Sequence, residues 1–205
     1  MFYVFPRVIK PDVCNSIVKD YKQNILKEAS VLSYDKFSRD DPSLRKTSIH
    51  FITDEKNKVN EIVWHFLRKA NKIQFNYDLT FFQAIQFAEY KDGGFYGWHQ
   101  DASSIDPNNE TRKLSLTLVL SDPNKFEGGE LQFFNGERPM AEWMTVDKQG
   151  NNRPVDEITG GQVTKDIQAQ GTVVVFDSRD WHRVTPVTDG VRHSIVCWCL
   201  GANFK

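Results

Sequence analysis

Two histidines and an aspartate have the residue types and the spacing of a metal site. His99 and Asp101 are separated by one residue in the segment YGWHQD, and His182 follows much later in the chain. If the segment is extended, side chains at i and i+2 point to the same face, so the imidazole and the carboxylate converge. Two imidazoles and one carboxylate on one face suit a non-haem Fe(II) with open coordination positions. The pattern therefore predicts a metal site that His182 joins from a distant strand.

A guanidinium and a hydroxyl follow shortly after His182. Arg192 comes ten residues later, and Ser194 two residues beyond it. Ten residues allow a turn and a return along the neighbouring strand. A buried guanidinium without a partner is costly, and a carboxylate held by two parallel hydrogen bonds is its natural partner. Ser194 faces the same way as Arg192 in a strand and offers a hydroxyl donor beside it.

The other three histidines are not expected to bind a metal. We expect His50 and His65 to occupy packing or surface positions. His65 falls within the second predicted helix. His193 lies between Arg192 and Ser194, so strand alternation points it away from both.

Two helices are predicted near the N-terminus to support these residues. The first runs from about Asp12 to Glu28, after Pro11, with apolar residues at helical spacing. The second runs from about Asp54 to Asn71, with Thr53 as its N-cap. The polar segment Ser33–Ile52 between them is expected to contain a strand and a loop.

After Leu79 the sequence pattern changes to short strands. In KLSLTLVLS, a leucine at every second position places one apolar row on one face. Glycines and Asp-Pro pairs separate the strand-like segments. Helices followed by many short strands predict an α+β chain whose β part closes as a sandwich or jelly roll. The predicted strands are Phe82–Tyr90, Lys113–Ser121, Glu130–Asn135, Thr172–Phe176 and Arg192–Leu200.

The composition favours one globular unit. The 205 residues include 15 Phe, 6 Tyr and 5 Trp, enough for one substantial core. A formal net charge of −1 disfavours a phosphate-backbone binder, so no nucleic-acid partner is expected. No apolar run approaches the roughly 20 residues of a membrane span, and no signal peptide is recognised. Three cysteines without disulfide-framework spacing favour a reducing compartment. We therefore expect a cytoplasmic protein without a membrane partner.

Five ordered stretches of the chain carry a family resemblance. They are Glu89–Asp101, Leu114–Ser121, Glu127–Leu131, Gly171–Phe176 and His182–Ser194. In them the chain resembles the Fe(II)/2-oxoglutarate-dependent oxygenases of the prolyl-4-hydroxylase-like branch, and it is especially similar to bacterial PKHD-type hydroxylases. The resemblance implies a double-stranded β-helix (jelly-roll, cupin-like) core in residues 79–205. It also implies a supporting helical region in residues 1–78, packed on that core as one structural unit.

The resemblance also implies roles for particular residues. His99, Asp101 and His182 match the family's iron ligands. Arg192 matches the residue that binds the distal carboxylate of 2-oxoglutarate, with Ser194 beside it. Two tyrosines and two tryptophans complete the expected site: Tyr90 at the cosubstrate, Tyr96 nearer the prime substrate, and Trp98 and Trp181 as walls of the substrate pocket.

The family's reaction is the activity that the resemblance implies for this chain. Oxidative decarboxylation of 2-oxoglutarate by O2 gives succinate and CO2 and is coupled to hydroxylation of an unactivated C–H bond. Ascorbate supports turnover by keeping the iron reduced. The protein contributes geometry and the exclusion of side reactions.

Two departures bear on the prime substrate. Prolyl hydroxylases that act on proteins often have Lys at the position of Arg192, so the arginine favours the PKHD side. The segment Met140–Asp166 is longer than a minimal core needs and is expected to form a hairpin or loop, acting as a lid or recognition element.

Several prime substrates and one non-enzymatic role remain open. A prolyl residue in a protein or peptide is the first expectation, and a free amino acid or other small metabolite the second. Nucleic-acid demethylation ranks third. Halogenation is disfavoured because Asp101 occupies the position that a halide would need. The alternative from another class is a non-catalytic metal-binding jelly-roll module.

Overall fold

A computed structural model of the chain is built mainly from antiparallel strands with two α-helices. It describes residues 2–24, 27–28, 44–54, 57–102, 110–134, 144–146, 152–154, 161–162 and 167–202. The helices are α1, Pro11–Tyr21, and α2, Lys58–Ala70. Three shorter helical segments are the 3₁₀ turns Lys22–Asn24 and Pro123–Lys125 and the π-helical Asn71–Phe75.

Sixteen strands occur in the described residues. They are β1 Phe2–Phe5, β2 Lys27–Glu28, β3 Arg45–Lys46, β4 Ser48–Ile52, β5 Ile85–Tyr90, β6 Phe95–His99, β7 Glu110–Val119, β8 Phe126–Gly128, β9 Leu131–Phe134, β10 Met144–Val146, β11 Asn152–Pro154, β12 Gly161–Gln162, β13 Val173–Asp177, β14 His182–Val184, β15 Val187–Gly190 and β16 Arg192–Ala202.

Two sheets contain most of these strands. The larger has seven strands in the order β1-β13-β7-β16-β5-β4-β2, and the smaller has five in the order β12-β9-β14-β6-β3. The ladders within both sheets are antiparallel. The long strands β7 and β16 form the centre of the larger sheet.

One face of the seven-stranded sheet packs against α1 and α2. Leu114, Leu116 and Leu118 of β7 are fully buried there, as the alternation in the sequence predicts. Val63 and Leu67 of α2 belong to the same apolar cluster. This face is the main hydrophobic core of the described residues.

The other face of the seven-stranded sheet contributes to a second apolar cluster with the five-stranded sheet. Val174 and Phe176 of β13 meet Leu131 and Phe133 of β9 in this cluster. On β7, Ser115 alternates with the leucines and therefore lies on this inner face. The candidate site residues lie on the same inner face.

The first helix is shorter than the sequence predicts. It begins at Pro11 and ends at Tyr21, and the 3₁₀ turn Lys22–Asn24 follows. The predicted last turn around Glu28 is wrong, because Lys27–Glu28 pairs with Ile49 and Ser48 as an edge strand. Sheet hydrogen bonding outweighs helical spacing here.

The second helix begins later than predicted, and Thr53 is not its cap. Asn57 is the N-cap, and its side chain accepts a hydrogen bond of 3.0 Å from the backbone N–H of Asn60. The helix ends at Ala70, one residue before the predicted Asn71.

The N-terminal part of the chain contributes strands as well as helices. Strand β1 was not predicted, yet it pairs along its whole length with β13, Phe2 opposite Phe176. Strand β4, which falls in the segment where a strand was expected, pairs with β5. Strand β1 on one side and strands β4 and β2 on the other therefore complete the large sheet.

The five strands predicted after Leu79 all occur, with bounds shifted by up to three residues. The predicted start at Phe82 is an isolated bridge to Cys199, three residues before β5. Within the predicted insertion Met140–Asp166, β10 and β11 pair as antiparallel strands, as a hairpin requires. Most of the insertion lies outside the described residues. Among the described helices, none has the length and apolar composition needed to span a membrane.

Candidate functional site

His99 and His182 lie opposite each other on neighbouring strands of the five-stranded sheet. His99 ends β6, His182 begins β14, and the two are paired across the antiparallel ladder. Paired residues point to the same face, and the ring centroids are 4.1 Å apart. The structure thus brings the second histidine to the first from a distant part of the sequence.

Hydrogen bonds from two other strands hold Asp101 beside these histidines. Its backbone N–H donates to the carbonyl oxygen of Ser178, directly after β13, at 2.8 Å. The hydroxyl of Ser115 on β7 donates to Oδ2 of Asp101 at 2.6 Å, and the Ser115 and Ser178 oxygens are 2.9 Å apart. The carboxylate is therefore fixed by the seven-stranded sheet, although it follows a strand of the other sheet.

The potential ligand atoms of the three residues form one buried cluster. One such atom from each of His99, Asp101 and His182 lies within 4.8 Å of the others, and all three residues are buried. Nδ1 of His99 is 2.8 Å from the carbonyl oxygen of Gly97, and Nδ1 of His182 is 2.9 Å from that of Asp180. Each Nδ1–H therefore donates to the backbone, which leaves both Nε2 lone pairs for a metal.

The charges of the cluster suit a divalent cation. Burial, with help from His182, lowers the pKa of His99 to about 4, so this imidazole is neutral at neutral pH. Burial opposes ionisation of Asp101, but the two histidines more than offset it and hold the pKa of the carboxyl well below its usual value. Burial also lowers the pKa of His182, yet the Asp101 carboxylate outweighs this and raises it. A metal ion that binds Nε2 of His182 therefore competes with protonation of that nitrogen. Two imidazoles and one carboxylate fit Fe(II).

Arg192 lies at one end of the inner face with much of its guanidinium unsatisfied. Its side chain is 1% exposed, and Nη1 donates to the Ser194 hydroxyl at 3.2 Å. Nε and Nη2 have no hydrogen-bond partner, and no carboxylate pairs with the guanidinium, among the residues that the structure describes. Burial lowers the pKa of Arg192, with the nearby Tyr90 opposing the shift. An unpaired buried charge of this kind fits a carboxylate ligand such as the distal end of 2-oxoglutarate.

Tyr90 and Gly129 shape the space around Arg192. Tyr90 is the cross-strand partner of Arg192, and the guanidinium carbon lies 5.2 Å from its ring centroid. Gly129 has φ +63°, and a Cβ there would lie 2.7 Å from Cδ of Arg192. The glycine therefore leaves the space that the arginine side chain occupies, a role that was not predicted from the sequence.

Of the residues expected near the prime substrate, Tyr96 borders the triad and Trp98 does not. Tyr96 stacks on His99 with ring centroids 3.5 Å apart, so it borders the triad. Trp98 packs against Phe134 and under the guanidinium of Arg183, on the face of β6 that points away from His182. Trp98 is therefore a packing residue of the outer face and not a wall of the pocket, which corrects the expectation from sequence.

Trp181 precedes His182 and is partly exposed. Its carbonyl oxygen accepts a hydrogen bond of 2.9 Å from the backbone N–H of Phe134. Its role as a wall of the substrate pocket stays a prediction.

Four further polar residues near the triad were not predicted from the sequence: Ser115, Ser178, Arg112 and Arg45. Ser115 is the one with a visible signal, since it is a hydroxyl within a buried leucine-rich strand. Ser178 and Arg112 belong to no motif in the sequence. Arg45 belongs to the segment that was expected only to contain a strand and a loop. Their proximity to the triad follows from the pairing of β3, β7 and β13 with their neighbours.

Comparison with known proteins agrees with this geometry. The family model described as the 2OG-Fe(II) oxygenase superfamily matches residues 85–200, more than half of the chain. The chain belongs to this superfamily. It is 33% identical over 116 residues to a PKHD-type hydroxylase from Teredinibacter turnerae, which covers 55% of this chain and 41% of that protein. The chain thus spans about two fifths of the length of that curated relative.

Solved structures of related enzymes share the fold. A viral collagen prolyl hydroxylase from Paramecium bursaria Chlorella virus-1, solved as a 2OG complex, superposes with a TM-score of 0.61 at 15% identity, covering 98% of this chain and 96% of that one. A prolyl hydroxylase from Trichoplax adhaerens, in complex with a hypoxia inducible factor peptide fragment, gives 0.66 at 16% identity, covering 97% and 82%. At these identities the likeness establishes the fold alone.

Proposed function

We propose that this chain is an Fe(II)- and 2-oxoglutarate-dependent dioxygenase that hydroxylates an unactivated C–H bond and releases succinate and CO2. The observation that carries the proposal is that a potential metal site and a buried, unpaired arginine lie on the same inner face. A buried triad offers three ligand atoms to a cation, and a buried arginine offers unpaired N–H groups to a carboxylate. A diacid that chelates a metal through its other end satisfies both.

Each residue has a specific task in this proposal. His99, Asp101 and His182 hold Fe(II), which when bound supplies the oxidative chemistry with O2, and ascorbate keeps it reduced. Arg192 binds the distal carboxylate of 2-oxoglutarate, with the Ser194 hydroxyl beside it.

The aromatic residues around the site shield and orient the cosubstrate in the same proposal. Tyr90 flanks the cosubstrate, and Tyr96 keeps the His99 ring in place by stacking on it. We assign Trp181 to the rim of the substrate pocket.

The two facing sheets support a double-stranded β-helix, or jelly-roll, core formed by residues 79–205. Residues 1–78 then act as its support and pack on it within one structural unit. In this arrangement the metal ligands come from one sheet and its flanking loop, and the cosubstrate arginine comes from the other.

The prime substrate in this proposal is a prolyl residue of a protein or peptide. The names of the structural neighbours, which include a prolyl hydroxylase holding a peptide fragment, support it. A free amino acid or small metabolite is the second candidate, which the two further arginines near the triad, Arg45 and Arg112, favour. The protein acts in the cytoplasm and has no nucleic-acid partner in this proposal.

The proposal is tested by anaerobic loading with Fe(II), followed by O2, 2-oxoglutarate and ascorbate. Slow succinate formation is expected without prime substrate, and a gain of one oxygen in mass is expected on accepted peptides or metabolites. Arg192→Ala is expected to weaken 2-oxoglutarate binding while iron binding stays. Arg68→Ala, on the exposed side of α2, is the matched control and should behave as wild type. Absence of both 2-oxoglutarate binding and turnover in iron-loaded wild type would show the proposal to be wrong and favour a non-catalytic module.

A further inference from the structure

Two more arginines, the buried Arg45 and the half-buried Arg112, lie beside the triad, at the other end of the inner face from Arg192. Arg45 is the cross-strand partner of Tyr96, and its guanidinium carbon is 4.6 Å from the Tyr96 ring centroid. Tyr96 in turn stacks on His99. The guanidinium carbon of Arg112 is 4.0 Å from the ring centroid of Trp198.

Strand geometry separates this pair from the cosubstrate arginine. On β5, Gln86 contacts Arg45 and Tyr90 contacts Arg192. Gln86 and Tyr90 are four residues apart on one face, which is about 13 Å along a strand. One cosubstrate molecule anchored at Arg192 and chelating at the triad therefore leaves the pair free for another ligand.

Neutral partners hold the two arginines without cancelling their charge. Nη2 of Arg45 donates to Oε1 of Gln86 at 3.4 Å, and Nε of Arg112 donates to Oε1 of Gln83 at 2.8 Å. Arg45 is 9% exposed, and its Nε has no hydrogen-bond partner among the residues described. Neither guanidinium pairs with a carboxylate in the described part of the chain. Burial lowers the pKa of Arg112, and Arg45 adds to that effect while Asp101 opposes it.

The charge of the loaded site leaves these arginines without a counterion. With Fe(II) and 2-oxoglutarate bound as proposed above, the positive charges of the ion and of Arg192 are matched by an equal number of negative charges. Asp101 and the two carboxylates of 2-oxoglutarate supply the balancing negative charges. Arg45 and Arg112 then add two positive charges beside the triad, one of them buried and one half-buried, and a charge removed from water is costly unless a ligand pairs with it.

We propose that Arg45 and Arg112 form the prime-substrate subsite and that the substrate presents a carboxylate to them beside the carbon that is hydroxylated. This inference rests on the proposed function and narrows its substrate class. Two sources fit the same chemistry: the carboxylate of a free amino acid or small acid, and that of an acidic side chain next to the target residue in a peptide.

The carboxylate chemistry is tested on the Zn(II)- and 2-oxoglutarate-loaded protein by NMR of ¹⁵N-labelled arginine side chains. Acetate should shift the Nε resonances of Arg45 and Arg112 saturably, and acetamide should not. Arg68, which stacks on Trp64 on the exposed side of α2, is the matched control and should not shift. In Arg45→Gln, the acetate affinity read at Arg112 should fall about tenfold, the loss expected for a charged hydrogen bond. No saturable shift, or an affinity unchanged by Arg45→Gln, overturns the proposal.

Calorimetry with matched ligands then distinguishes the two sources. The first pair is L-proline and L-prolinamide, and the second is one peptide with Pro-Asp or Pro-Asn at its centre. The carboxylate member of one pair should bind at least about tenfold more tightly than the amide, and Arg45→Gln should remove this preference. An amide that binds as tightly as its acid counts against the proposal. If neither pair binds, the outcome of the acetate titration alone supports or overturns it. These readouts need no turnover, so a failure of the proposed oxygenase activity is recognised separately.

Discussion

Neighbouring residues along β16 differ in chemistry according to which face of the seven-stranded sheet they occupy. Ile195 and Cys197 face the helices and belong to the main apolar core. Arg192 and Ser194 face the other sheet, and both are about 1% exposed. Both pairs of residues are buried, yet Ile195 and Cys197 are apolar, whereas Arg192 carries a charge that has no carboxylate counterion among the described residues.

The difference indicates that the two faces serve different ends. The helix-facing side gains stability from close packing, since each leucine of β7 there is fully buried. The inner face keeps polar groups whose proposed partners are a metal ion and small ligands, and buried polar groups without partners lower the stability of the unliganded protein. Substitutions on the two faces should therefore separate folding from function.

The largest effect is expected for His182→Ala on the inner face. The variant removes one of three ligand atoms, so iron binding and succinate formation should fall to background. Metal analysis after anaerobic loading measures this, with circular dichroism to show that the variant is folded. Stoichiometric iron in the variant would remove His182 from the ligand set.

On the opposite face, Leu116→Ala should act on folding. Its side chain is fully buried in the main core, and truncation of such a leucine costs about 2–5 kcal/mol. Urea unfolding of the metal-free protein measures the loss, and iron affinity at low temperature should stay at the wild-type value. A large loss of iron affinity with little loss of stability would erase the distinction between the faces.

Arg192→Met separates ligand binding from stability on the inner face. Loss of the charged hydrogen bonds should weaken 2-oxoglutarate binding about 10- to 100-fold. The free energy of unfolding without ligand should hold or increase, because an unpaired buried charge is removed. Calorimetry and urea unfolding provide the two measurements. A strong destabilisation would assign Arg192 a structural ion-pair role instead.

A smaller effect is expected for Ser115→Ala. The hydroxyl fixes Oδ2 of Asp101, and removal of such a partner to a metal ligand lowers metal affinity about 10- to 100-fold. Thr117→Val, which removes a hydroxyl from the same face of β7 two residues away, is the control. Equal iron affinities in both variants would show that Ser115 does not position the carboxylate.

The smallest effect concerns pH and His193, a polar exception on the helix-facing side. Burial lowers the pKa of His193 below 6.5, although Glu89 opposes this, so the unfolded chain takes up the proton first. Stability should therefore decline as the pH falls below 6.5. Urea unfolding at several pH values should show a smaller decline in His193→Gln than in wild type, and identical profiles would contradict the assignment.

Local sequence patterns predicted the site better than they predicted the boundaries of the elements. The His-X-Asp spacing predicted that His99 and Asp101 converge, and strand alternation predicted that Arg192 and Ser194 share a face. Asp101 lies beyond the end of β6, so its position depends on hydrogen bonds to Ser115 and Ser178 as well as on spacing. The same reasoning missed β1 and extended α1 to Glu28, since pairing with distant strands decides both. Arg45 and Ser178 reach the site only through long-range pairing, which one sequence does not reveal.

Anaerobic calorimetry of 2-oxoglutarate with iron-loaded and metal-free protein tests the central claim most directly. One equivalent should bind to the Fe(II)-loaded wild type, more weakly without iron and more weakly in Arg192→Met, because the diacid joins the metal to the arginine. Binding that is indifferent to both the metal and Arg192, or no binding to the iron-loaded protein, would contradict the account.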